Sequence, residues 1–104
     1  MFLSVIVPAY NEEKRLPETL KKVKDYLNRQ NITSEVIVVN DGSKDNTGKV
    51  VADLITNWDN FRLIDNMENI GKGGVVKQGM LEASGQWRLF MDADGSTDIS
   101  ELKK

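Results

Sequence analysis

Four short apolar runs, separated by stretches of helical spacing, organise the chain. They are Phe2–Val7, Glu35–Val39, Phe61–Ile64 and Trp87–Met91. Runs that are apolar on successive residues suit strands buried on both faces, as in a parallel sheet, because both sides of the pleat then meet apolar neighbours. Three of them end on strong punctuation: Pro8 after the first, Asn40-Asp41-Gly42-Ser43 after the second and Asp92-Ala93-Asp94-Gly95 after the fourth.

Between the runs the period changes. Leu16, Leu20, Val23 and Leu27 recur at three- and four-residue spacing and share one helical face. Pro17 fits the first turn of that helix, where its missing N–H costs nothing. Val50, Val51, Leu54 and Ile55 make a second such face, and Lys72–Ser84, with Val75, Val76, Met80 and Ala83, a third that stops near Gly85. Asp98 followed by Glu101 has the pattern of a capping box opening a fourth helix. The order βαβαβαβ predicts an α/β domain: a mainly parallel sheet between helices on both faces, a Rossmann-like three-layer αβα sandwich with right-handed crossovers.

Composition narrows the chemistry. The chain has 104 residues, enough for one small domain. It contains no cysteine and no histidine, which removes thiolate nucleophiles, Cys- or His-ligated metals and any His general base. Function must rest on carboxylates, hydroxyls, amides, lysines and backbone. The net charge of −2 argues against a nucleic-acid partner held by a basic face. The N-terminal apolar run is too short for a membrane span and lacks the basic start of a signal peptide. The lack of cysteine fits the expected cytoplasmic residence.

In an open parallel sheet, ligands bind beyond the carboxyl ends of the strands. The first exit is Pro8-Ala9-Tyr10-Asn11-Glu12-Glu13. Tyr10 could stack on a planar base and Glu12 could accept from a ribose, although acids before a helix also serve simply to complement its dipole. The second exit places Asp41 at a strand tip, where a carboxylate can accept a base N–H. Its bland alternative is an ordinary Asp-Gly turn. Asp45, Asn46 and Thr47 are candidate N-caps for the following helix. At the fourth exit, Asp92 and Asp94 sit one residue apart. Their mutual repulsion is relieved by a divalent cation, and all-oxygen ligands favour Mg2+ or Mn2+, although a solvated acidic turn is the plain alternative. Asn69-Ile70-Gly71-Lys72-Gly73-Gly74 is neither a Walker loop nor a dinucleotide fingerprint, yet glycines and a lysine at a helix N-terminus can hold an anion. Trp58 and Trp87 read as packing residues, and Lys21, Lys22 and Lys24 as a solvated helix face.

Taken together, these segments resemble family 2 glycosyltransferases, most of all the dolichyl- and polyprenyl-phosphate glucosyl- and mannosyltransferases. The resemblance is carried by Ser4 through Pro17, Val36 through Asp45, Asn69 through Gly74, Gly79, and Met91 through Gly95. It implies a GT-A fold over residues 1–104, with these residues as the nucleotide-sugar-binding part. It implies a nucleoside pocket at Pro8, Ala9, Tyr10 and Glu12, and Asp41 as the acid that reads the base edge. Lys72 would lie near the phosphates, Asp92 and Ala93 beside the nucleotide, and Asp92 and Asp94 on a Mg2+ or Mn2+ ion. Family members often carry an acid where this chain has Asn40.

The implied activity is inverting transfer of a sugar from a nucleotide sugar, UDP-glucose rather than GDP-mannose, to a lipid phosphate (polyprenyl or dolichyl) or a glycan acceptor. The acceptor-binding half and its general base are expected after the Asp-x-Asp pair, and no catalytic residue is assigned within residues 1–104. A membrane-associated full-length protein on the cytoplasmic face, weak donor binding by these residues alone, and self-association through exposed apolar surface or a sheet edge complete the expectations. Two other classes fit less well. A signalling receiver domain needs acids after its first and third strands, where this chain has Pro8-Ala9-Tyr10 and Asp65-Asn66-Met67. A sugar nucleotidyltransferase wants a glycine-rich loop with an arginine after the first strand. A non-catalytic nucleotide-binding module shares every feature named.

Overall fold

A computed structural model describes residues 2–91. The elements run β1 (Phe2–Ala9), α1 (Leu16–Arg29), β2 (Thr33–Asp41), α2 (Thr47–Leu54), β3 (Phe61–Asn66), α3 (Lys72–Glu82) and β4 (Trp87–Phe90). The four strands form one sheet in the order β3-β2-β1-β4. Every pairing is parallel: β1 with β2 from Phe2↔Thr33 to Ala9↔Asn40, β2 with β3 from Val36↔Phe61, and β1 with β4 from Leu3↔Trp87. The capping box expected at Asp98 and Glu101 lies outside the described residues, as do Asp92, Ala93 and Asp94.

The two-residue strand period sorts the core into two layers. Leu3, Val5, Val7 and Ala9 of β1 face α1 and α2, packing with Leu16, Leu20, Val23, Leu27, Val51 and Ile55. Ile6, Ile37 and Val39 face the opposite way, onto Val75 and Ala83 at α3. All four apolar residues expected on the α1 face are buried. On α3 the buried positions are Val75 and Gly79, with Met80 half-buried. Gly79 lets the helix approach the sheet: a Cβ there would stand 2.6 Å from Ile6 Cγ2. Among the described residues, no helix is long and apolar enough to cross a membrane.

The strand predictions need two corrections. β1 does not stop at Pro8: pairing with β2 continues through Pro8↔Val39 to Ala9↔Asn40. Pro8 lies past the last β1–β4 pair among the described residues, Ile6↔Phe90, so its missing N–H falls beyond those paired rungs. β4 is apolar in sequence yet largely exposed, with Trp87 and Phe90 outward. It occupies an edge of the described sheet, with β1 as its one strand neighbour among the described residues. Trp58 packs edge-on against Phe61, ring centroids 4.9 Å apart, beneath the Lys24 ammonium.

Candidate functional site

The strand order creates the site. From β1 the chain moves outward to β2 and β3, then crosses back to β4 on the other side of β1. At such a reversal the loops leaving neighbouring strands diverge, opening a crevice beyond their carboxyl ends. The exits of β1 and β2 and the loop before α3 meet at that end.

The β1 and β2 exits are joined by short side chains bonding to backbone amides. Asn11 holds a left-handed conformation, φ 53°, which Asn adopts more readily than most residues. Its amide donates to Ser43 Oγ (2.9 Å), and its side-chain oxygen accepts from the Lys44 amide (2.8 Å). The Glu12 amide donates to Thr47 Oγ1 (2.9 Å) and the Glu13 amide to Asp45 Oδ2 (3.4 Å). Asp45 also accepts from the Thr47 amide (2.9 Å) and hydroxyl. Of the three candidate N-caps, Asp45 therefore serves the first turn of α2, and Asn46, at the cap position, makes no side-chain cap bond. Burial pushes the Asp45 carboxyl up, but the bonds from Thr47 and from the Glu13 amide outweigh it and hold the group below its ordinary value.

Asp41 ends β2 almost fully buried, 5% exposed. Its Oδ1 accepts the Ile70 amide at 2.7 Å and its Oδ2 the Gly71 amide at 3.1 Å, while Asn69 Nδ2 donates to its main-chain oxygen at 3.3 Å. The acid expected to read a base thus also ties down the loop that opens α3. Gly71 takes φ 86°, and the helix begins at Lys72, with Lys72, Gly73 and Gly74 exposed. Asn66 and Gln78 exchange two amide bonds of 2.8 Å, fixing α3 to the end of β3.

Of the residues expected to meet the nucleotide, Pro8, Ala9, Tyr10 and Glu12 follow one another on the β1 exit. Tyr10 is outward and 41% exposed, and Glu12 pairs with Arg15 at 3.3 Å. Asp41 lies on the neighbouring strand and is joined to the Lys72 loop. Asp92, Ala93 and Asp94 lie outside the described residues, and no group of three or more acidic side chains able to hold a metal occurs among the described ones. Sequence reasoning missed Asn11, Asp65 and the amide bonds to Asp41. For Asn11 a signal existed, because Asn is among the residues that tolerate a left-handed turn.

Comparison with known proteins agrees with this fold. Residues 4–104 match glycosyl transferase family 2. A dolichyl-phosphate beta-glucosyltransferase of Trichomonas vaginalis is 46% identical over 98% of this chain, which covers 33% of that protein. The Homo sapiens dolichyl-phosphate beta-glucosyltransferase is 42% identical over 98% of this chain and 34% of its own length. The chain thus spans about a third of the curated relatives it matches. Among solved structures, S. aureus TarS in complex with UDP superposes with a TM-score of 0.76 at 34% identity, over 90% of this chain and 28% of that one. A Pyrobaculum calidifontis mannosyltransferase in complex with GDP-Man and Mn2+ gives 0.77 at 29% identity, over 88% of this chain and 27% of its own. The shared architecture is GT-A, with the parallel sheet and flanking helices described above. With a match running from the first strand to the last residue, this chain belongs to glycosyl transferase family 2.

Proposed function

We propose that this chain carries the donor-binding part of an inverting glucosyltransferase that moves glucose from UDP-glucose to a dolichyl or related polyprenyl phosphate. The observation that carries the reading is the convergence, at the carboxyl ends of β1 and β2, of the Tyr10 exit, the Asp41 carboxylate and the Lys72 loop. Family membership and the dolichyl-phosphate beta-glucosyltransferases among its relatives support the same reaction.

The roles follow from position. Tyr10 stacks on the base, Pro8, Ala9 and Glu12 line the nucleoside, and Asp41 accepts a base N–H with a lone pair its amide partners leave unused. Lys72 and the first amides of α3 receive the phosphates. A phosphate oxygen of the acceptor attacks the anomeric carbon from the face opposite the leaving group. The bond from that carbon to the diphosphate oxygen breaks, UDP departs with the electron pair, and the configuration inverts. A phosphate monoester, with its second pKa near 6, is already anionic at neutral pH and needs positioning more than a general base. Asp92 and Asp94 are the residues that would hold a Mg2+ or Mn2+ ion, which when bound neutralises charge on the diphosphate.

Calorimetric titration of UDP and GDP, each with and without Mn2+, into the wild type and Asp94→Ala tests the proposal. The expected result is metal-dependent binding of UDP that is weakened in the variant. Preference for GDP would replace glucose with mannose chemistry, and no binding of either nucleotide to the folded protein would overturn the reading.

A further inference from the structure

We propose that Asn40 is a positioning residue: paired with Asp65, it orients a hydrogen-bond relay that sets the shape of the β1 exit loop from the neighbouring strand. Its consequence for nucleotide affinity rests on the donor-binding reading above. The relay itself does not.

Asn40 is 4% exposed on β2, beside the end of β3. Its Nδ2 donates to Asp65 Oδ1 at 2.7 Å. An ionised carboxylate only accepts, so this bond fixes which way the Asn40 amide is turned. Oδ1 of Asn40 is then left to accept, and it takes the proton of the Ser43 hydroxyl. With its proton committed, Ser43 Oγ presents a lone pair, which accepts the Asn11 amide at 2.9 Å. Asn11 lies between Tyr10 and Glu12, and its left-handed turn decides where both point. A single polarity therefore runs from Asp65 through Asn40 and Ser43 to Asn11.

The other side of the pair is closed by Gly48. A Cβ there would lie 2.8 Å from Asn40 Nδ2 and 3.0 Å from each Asp65 carboxylate oxygen. Helix α2 thus approaches too closely for the pair to swing away. The relay needs one donor and one acceptor across this contact. An amide at position 40 with an acid at 65 provides it, and so does the reverse arrangement. Two acids do not, because two ionised carboxylates at this separation repel.

The test is a set of three variants in the full-length protein: Asn40→Asp, Asp65→Asn, and both together. The readouts are UDP affinity and the amide hydrogen exchange of Asn11 and Lys44, compared with core amides such as Val7 and Val38. Asn40→Asp is expected to weaken UDP binding about tenfold, the order of one contact coupling, and to speed exchange at Asn11 and Lys44 ahead of the core. Asp65→Asn keeps an acceptor at 65 and should stay within about twofold of wild type, inside the usual error of additivity. The double variant restores one donor and one acceptor across the contact, with that bond reversed and position 40 still accepting from Ser43, and should recover both readouts. A merely structural Asn40 would loosen core and loop amides alike. If Asn40→Asp does not fold, Ser43→Ala breaks the relay without adding charge and should loosen Asn11 selectively. An unchanged Asn11 amide in Asn40→Asp or Ser43→Ala, or a double variant that fails to recover, overturns the proposal. Wild-type protein that binds neither UDP nor GDP would defeat the donor-binding reading while leaving the exchange comparison to decide the relay.

Discussion

The two ends of the sheet are built from different chemistry. At the amino ends of the strands, Glu35 accepts the Ser4 hydroxyl and the Ser84 amide, each at 2.6 Å, and pairs with Arg62 at 3.4 Å. Arg62 also donates to the Glu82 main-chain oxygen at 2.9 Å, and the Gly85 amide donates to Ser4 Oγ at 2.8 Å. A half-buried acid is thereby surrounded by donors that belong to the fold, and the end of α3 is stapled to β1 and β2. At the carboxyl ends, Asn11, Asn40, Asp41, Ser43, Asp45 and Thr47 shape the loops, and Tyr10 and Lys72 are left outward. The first end holds the sheet. The second holds the loops on which Tyr10 and Lys72 are exposed, with Asp41 buried beneath them on backbone amides. Substitutions at the first end should therefore change stability alone, and those at the second should separate stability from binding.

The largest expected effect strikes the carboxyl end through its backbone. Gly42 has φ 67°, and a Cβ there would stand 2.5 Å from Asn69 N and Glu68 C. Both obstacles are backbone of the loop that Asp41 secures, so neither can turn aside. Strain from the left-handed conformation and the overlap together predict a loss of about 2–4 kcal/mol for Gly42→Ala. The urea midpoint measures it. A shift equivalent to less than about 0.5 kcal/mol, the usual range for surface changes, would show that the two loops are not locked here.

The amino end predicts a smaller loss with a distinctive dependence on pH. Burial pushes the Glu35 carboxyl up, but the Ser4 hydroxyl, the Ser84 amide and the Arg62 guanidinium outweigh it, and the group sits below its ordinary value of 4.5. A depressed folded pKa means that the unfolded chain takes up the proton first. The stabilisation is complete above 4.5 and disappears as pH falls through the lower folded value. Glu35→Gln should cost about 1–2 kcal/mol at neutral pH, the worth of hydrogen bonds to a charged group less what the amide oxygen still accepts. It should also flatten the acid limb of a stability–pH curve. Equal acid slopes for the two proteins would mean that other carboxyls govern that limb.

What could be read in advance follows the same division. Leu16, Leu20, Val23 and Leu27 announce α1 by their spacing, and the first two apolar runs announce buried parallel strands, because burial leaves its period in the sequence. The exits Tyr10, Asp41 and Lys72 were legible as polar chemistry following apolar runs. The bonds that organise them were not. Asn40 meets Asp65 across 25 positions, and Asp41 meets Ile70 across 29, so each contact exists only once the register of the sheet is fixed. Position 40 read alone is a neutral turn residue, and position 65 a polar strand end. Their complementarity is a property of β2 lying beside β3. The exposure of Trp87 and Phe90 was not legible either, because an apolar run does not say which of its sides the described residues leave uncovered.

The smallest effect on the fold is also the sharpest probe of the contrast. Tyr10 is 41% exposed and follows the last strand residue, so removing its ring disturbs little core. Tyr10→Ala should leave the urea midpoint within about 0.5 kcal/mol of wild type, as for other surface substitutions. Stacking of a base on an aromatic ring is worth about 1–3 kcal/mol, so the same variant should weaken UDP binding tenfold or more. Tyr10→Phe keeps the ring and loses only the hydroxyl. If stacking is the interaction, its affinity should lie close to wild type. If Tyr10→Phe is as weak as Tyr10→Ala, the hydroxyl carries the contact, and the β1 exit recognises a polar edge of the nucleoside where a stacked face was expected. Should Tyr10→Ala instead lower stability and leave binding intact, Tyr10 would belong with Glu35 among the residues that hold the sheet.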